Sequence, residues 1–211
     1  LNPEKSGIQD NKVFKKLTIE NFKNLVGDYE DIVKIVTLAP ELDIDLIDYL
    51  KKENIKVQAG HTLSETLRKC SAITHIFNAT SQIHHRNPSI TLEALVDDEV
   101  YCEIIPDLIH SSKNMLKLFF KVKPKDKVLL ISDSLPSSNY DGDIIFCNKK
   151  INKDGKDEFG TLAGSNKTLD EICTNLIENK ILTKEDIDQM GFKNQIEYLN
   201  LSKYEIDILN R

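Results

Sequence analysis

No run of apolar residues in this chain approaches the roughly 18–20 needed to cross a bilayer as a helix. The first residues also lack the pattern of a secretory signal. Membrane-spanning and signal-led readings are therefore set aside. The four cysteines, Cys70, Cys102, Cys147 and Cys173, are far apart and form no Cys-x-x-Cys pair. That argues against a disulfide framework, and unpaired thiols in a reducing cytoplasm are the expectation. A dense Lys/Arg tract is missing too. The 28 basic side chains stand against 34 acidic ones, for a net charge of −6. Such a balance suits neither bulk nucleic-acid binding nor an anionic membrane surface. There is no internal repeat and no low-complexity tract. Nor does the chain begin with methionine: Leu1 runs straight into Asn2-Pro3-Glu4-Lys5, and a piece of a longer protein is the expectation.

What is present is enough apolar material, 40% of 211 residues, for one large domain or two small ones. Short β-branched runs at Ile32–Leu38, Ile55–Ala59, Ile73–Phe77, Val100–Ile105 and Val128–Ser132 predict strands. Being apolar nearly throughout, they suit a parallel sheet buried on both faces. Between them Leu42–Lys52, Leu63–Cys70, Ile90–Val96 and Ser112–Val122 read as helices, the last stopped by Pro124. Alternating strands and helices predict an α/β fold. Beyond Ser132 the pattern changes. Leu135–Tyr140 is a Pro/Ser-rich loop, Asp143–Cys147 and Lys149–Ile151 suggest a hairpin around Asn148, and Thr168–Asn179 and Lys184–Met190 read as helices. Tyr204–Leu209 is a possible last strand.

The titratable side chains fall at the ends of these strands. Glu41 follows the first, His61 the second, His75 closes the third, His110 follows the fourth and Asp133 ends the fifth. In a parallel sheet or (β/α) barrel those ends share one face, where ligands bind. Imidazoles on adjacent strands suit a divalent metal, so His61 and His75 are the candidate ligands. Asp133 reads either as a turn capper among serines or as a base beside a metal site; its neighbours favour the base. Glu41 reads as a helix cap or as a partner one layer behind the ligands. His84-His85-Arg86 is either a solvated charge run or an anion site, since Arg can fork onto a phosphate. Gly160, Gly164 and Ser165 can bring backbone N–H groups close to a ligand.

Taken together, these segments resemble the N-acetylglucosamine-6-phosphate deacetylase family of the amidohydrolase superfamily. The matching stretches are collinear: Leu1 to Gly7, Thr37-Leu38-Ala39-Pro40-Glu41, Ala59-Gly60-His61-Thr62, Thr74 to Ala79, Arg86-Asn87-Pro88, Ile104 to His110, Ile131-Ser132-Asp133 and Gly160 to Ser165. The resemblance implies a (β/α)8 TIM-barrel-like amidohydrolase, here a partial barrel over residues 1–190 without its first strands. Residues 191–211 would be a short tail, a possible remnant of a small β domain. It implies deacetylation of N-acetylglucosamine 6-phosphate to glucosamine 6-phosphate and acetate. His61 and His75 correspond to metal ligands, with Zn or Fe as the metal, and Asp133 to the catalytic acid/base. Asn78, Ala79, Arg86 and His110 correspond to substrate-binding positions, and Leu162, Ala163 and Gly164 to a loop closing over the sugar. Arg86 would reach into a neighbouring subunit's site, which implies a homodimer.

The chain also departs from the family pattern. Gln9 stands where the family has a His two residues after Gly7, Leu108 and Ser89 replace usual glycines, and the family's Glu ligand would fall upstream of Leu1. These departures motivate a competing reading, a non-catalytic relic that binds sugar phosphate or a partner chain.

Overall fold

In the computed structural model, five parallel strands run in sequential order, β1 (Ile35–Leu38), β2 (Lys56–Ala59), β3 (Ala72–Ile73), β4 (Tyr101–Ile104) and β5 (Val128–Leu130). This is the strand order found around a (β/α) barrel. The structure describes residues 1–136, 138 and 140–209. Ser137 and Asn139, within the loop expected at Leu135–Tyr140, and the last two residues of the expected tail lie outside the described residues.

Register sorts the side chains onto two faces. Leu38 pairs with Ala59, Ala59 with Ile73, Ile73 with Cys102 and Ile104 with Leu130. This apolar face packs on helices α1 (Ile19–Val26), α2 (Ile44–Lys52), α3 (Ile90–Val96), α4 (Lys113–Val122) and α5 (Leu169–Glu178). Leu46, Ile47, Leu50, Leu116 and Phe119 are completely buried in that core. Fully burying each such side chain stabilises the fold by roughly 1.5–3 kcal/mol. The opposite face carries Thr37, Gln58 and Tyr101, in register with one another through Ala72.

Caps set the helix starts. The Asp43 carboxylate accepts from the Leu46 N–H at 2.9 Å, so α2 begins two residues after the expected Leu42 and Glu41 is left free of the capping task. The hairpin forms as expected, β6 (Ile144–Phe146) against β7 (Lys149–Ile151). Cys147 and Asn148 turn it with φ of 50° and 61°, the conformation of a two-residue hairpin loop.

Three local expectations are overturned. Leu63–Cys70 is not helical. Its backbone donors are taken by side chains instead: Leu63 N–H goes to Glu41, Ser64 N–H to the Thr62 hydroxyl and Leu67 N–H to Glu93. The third strand stops at Ile73, because His75, Phe77 and Ala79 adopt left-handed φ. Tyr204–Leu209 lies within helix α8 (Lys203–Leu209), which follows α6 (Lys184–Asp188) and α7 (Asn194–Leu199). Ser202 and Glu205 satisfy each other's backbone N–H groups there, a reciprocal cap that starts a helix. Among the described residues no helix is long and apolar enough to cross a membrane.

Candidate active site

A cleft of about 550 Å³ opens at the carboxyl ends of the strands. Its wall includes His61, His75, His110, Asp133, Asn78 and Ala79, together with Leu162, Ala163 and Gly164. Arg86 is not part of it, and neither are Glu41, His84, His85, Gly160 and Ser165. Arg86 is exposed on its loop, with Nη1 3.1 Å from Nε2 of His85.

The two strand-end imidazoles face each other, Nε2 to Nε2, at 3.0 Å. His61 Nδ1 lies 2.6 Å from the carbonyl oxygen of Lys5. A carbonyl only accepts, so Nδ1 carries the proton and Nε2 keeps a lone pair. His75 is buried, and its Nδ1 has no hydrogen-bond partner. Burial, the larger cause, lowers the pKa of both rings, and in His75 the neighbouring His61 adds to it. Both are therefore neutral at pH 7, the form that ligates metals. Two nitrogens 3.0 Å apart can share an ion held at about 2.0–2.1 Å from each. The pair thus fits part of a metal shell. No group of three or more His, Cys, Asp or Glu that could hold an ion occurs among the described residues.

Asp133 stands beside this pair and its negative charge raises the pKa of both imidazoles, against the effect of burial. It leaves β5 with φ 50° and is exposed to the cleft. Its peptide oxygen accepts from the Ser165 N–H at 2.9 Å, which ties the Leu162–Gly164 loop to the strand end.

His110 is held by Asp107, which lies within the matching stretch Ile104 to His110. The buried Asp107 carboxylate takes four donors: the N–H groups of Ile109 and His110, His110 Nδ1 at 2.8 Å and the Ser165 hydroxyl at 3.1 Å. Burial pushes the Asp107 pKa up, but the His110 and Ile109 bonds outweigh it and hold the carboxyl below its usual value. With Nδ1 committed, Nε2 is the polar atom His110 has left for a ligand. The spacing Asp107-x-x-His110 was the available signal, since it brings the two side chains together in one turn.

Glu41 is neither cap nor wall. It accepts from Asn2, from the Thr62 hydroxyl and from the Leu63 N–H, so it fastens the segment after His61 to the one before Lys5. Gln9, by contrast, does line the cleft.

No protein-family model matches the chain. It is 33% identical to the N-acetylglucosamine-6-phosphate deacetylase of Bacillus subtilis, over 95% of this chain and 54% of that protein. It is 25% identical to the N-acetylgalactosamine-6-phosphate deacetylase of Escherichia coli O157:H7, over 84% of this chain and 50% of that protein. Among solved structures, N-acetylglucosamine-6-phosphate deacetylase from Thermotoga maritima matches with a TM-score of 0.84 at 27% identity, over 95% of this chain and 57% of that one. The chain spans about half the length of the curated relatives it matches.

Proposed function

The chain belongs to the N-acetylglucosamine-6-phosphate deacetylase family, and from that premise we propose that the protein hydrolyses the acetamide of N-acetylglucosamine 6-phosphate to glucosamine 6-phosphate and acetate. The observation that supports this most is the pair of neutral imidazoles, Nε2 to Nε2 at 3.0 Å, beside an exposed carboxylate in one cleft.

His61 and His75 hold part of a divalent metal site. Zn²⁺ and Fe²⁺ both suit imidazole donors, and the ion would polarise the amide carbonyl and lower the pKa of water. Asp133 takes the proton of the attacking water and returns it to the departing amine nitrogen. His110 Nε2 takes a sugar hydroxyl. Asn78 and Ala79 contact the sugar through their turn, whose shape is kept by Asn78 Nδ2 donating to the His75 carbonyl at 3.1 Å. Leu162, Ala163 and Gly164 close over it and exclude water. Arg86 reaches the phosphate of a substrate bound by a neighbouring copy, so the working form is a homodimer. Residues 1–190 act as the hydrolase barrel segment, with 191–211 as its tail. The free thiols fit a cytoplasmic setting.

Acetate release from N-acetylglucosamine 6-phosphate tests the reading. Asp133→Asn keeps shape and removes the proton acceptor, so turnover falls about 10²–10⁴-fold while sugar-phosphate binding is retained. Near-normal turnover in that variant would sink the mechanism.

A further inference from the structure

From Thr37 and Thr74 in the cleft wall a row of hydrogen bonds of determined direction runs into the sheet. Thr37 Oγ1 lies 2.8 Å from Thr74 Oγ1. Thr74 Oγ1 donates to Gln58 Oε1 at 2.7 Å, and Gln58 Nε2 donates to Glu103 Oε1 at 2.9 Å. Strand register assembles the row. Thr37 opposes Gln58 on β1 and β2, and Ala72 opposes Tyr101 on β3 and β4. Thr74 and Glu103, two residues further on, lie on the same face.

Each hydroxyl has one proton. That of Thr74 goes to the Gln58 carbonyl oxygen, so the proton between the two threonines is Thr37's. The Glu103 carboxylate fixes this sense, because the backbone N–H of His75 also donates to it. Thr37 Oγ1 is left with lone pairs and no proton to give. It is an acceptor only, and it lines the cleft.

Thr37 also stands at the base of the imidazole pair. A Cβ on Gly60, the residue before His61, would come within 2.7 Å of Thr37 Cγ2. The hydroxyl itself is bonded to Thr74, the residue before His75. A donor on the substrate is what such an acceptor takes. The acetamide has one, its N–H, on the same small group as the carbonyl to be attacked. We propose that Thr37 accepts the acetamido N–H of the bound sugar phosphate and so turns the amide carbonyl towards His61 and His75. This assignment rests on the deacetylase reading above.

The test is calorimetric binding to the intact protein in an Asp133→Asn background, with two ligands. N-acetylglucosamine 6-phosphate has the N–H, and 2-deoxyglucose 6-phosphate has no donor at that carbon. Thr37→Val should weaken the first about tenfold and leave the second unchanged, and Thr37→Ser should restore the first. Thermal unfolding of both variants checks that the fold is kept. Equal loss for both ligands, no loss for the acetamido sugar, or no rescue by Ser would overturn the assignment alone. If the Asp133→Asn parent with Thr37 intact binds neither sugar phosphate, the deacetylase reading fails and the assignment falls with it.

Discussion

His61, His75, Ala79 and Asp133 all hold left-handed backbone, with φ of 48°, 33°, 50° and 50°. Side-chain-bearing residues rarely adopt it, and its cost is of order 1–3 kcal/mol each. Here it turns the chain sharply as it leaves β2, β3 and β5, so that polar side chains point into the cleft rather than along a strand. The alignment of His61, His75 and Asp133 with strand ends was legible in the sequence; the strain at these positions and at Ala79 was not, because nothing in residue type marks His or Ala for φ > 0. For Asp107 the spacing to His110 was legible, but its burial and its four donors were not. Its folded pKa lies below the ordinary carboxylate value. The unfolded chain therefore binds the proton first as pH falls, and the Asp107 contribution is present above about pH 4 and lost below it, down through the folded pKa. Asp107→Asn should be less stable than the parent at neutral pH, with the gap closing in acid. Urea unfolding at a series of pH values reads this, and a pH-independent gap would refute it.

Among the elements, strands and capped helices followed from pattern, and the failures have physical causes. Leu63–Cys70 has helical apolar spacing, yet Glu41 and Glu93, from distant segments, hold two of its N–H groups. Such tertiary competition is invisible in a local window. The Ser202–Glu205 reciprocal cap was visible in the residues and outweighs the β-branched look of Ile206 and Ile208. The loop over the cleft depends on Gly164, with φ 153° and a hypothetical Cβ only 2.6 Å from the Asp133 carbonyl oxygen. A shift of either backbone there would displace the Asp133 carboxylate. Gly164→Ala should cost about 1–3 kcal/mol in stability and lower acetate release as well. A variant that lost stability at full turnover would show that the loop and Asp133 move independently.

At the scale of the molecule, five parallel strands were expected to be apolar on both faces, whereas one face carries Thr37, Gln58 and Tyr101; the treatment of the sheet's far edge was not foreseen. The outward carbonyls of β5 are taken by side chains of the tail: Val128 by Asn194 Nδ2 at 2.6 Å and Leu130 by Gln195 Nε2 at 3.2 Å. Asn194 is fully buried and also donates to the Lys125 carbonyl. Asn194→Leu strips two carbonyls at once and should cost about 2–5 kcal/mol, measured as a lowered urea midpoint; a change under about 0.5 kcal/mol would mean that water replaces the amide freely. The spacing of these partners sets a timetable. The covering side chains are made 66 and 65 residues after the carbonyls they cover. At roughly 5–20 residues per second on the ribosome, the Val128 and Leu130 carbonyls wait about 3–13 s for these side chains. In that interval a neighbouring nascent chain is the competing partner. Translation speed through the codons for residues 131–195 therefore bears on how much of this protein reaches its folded form unaggregated.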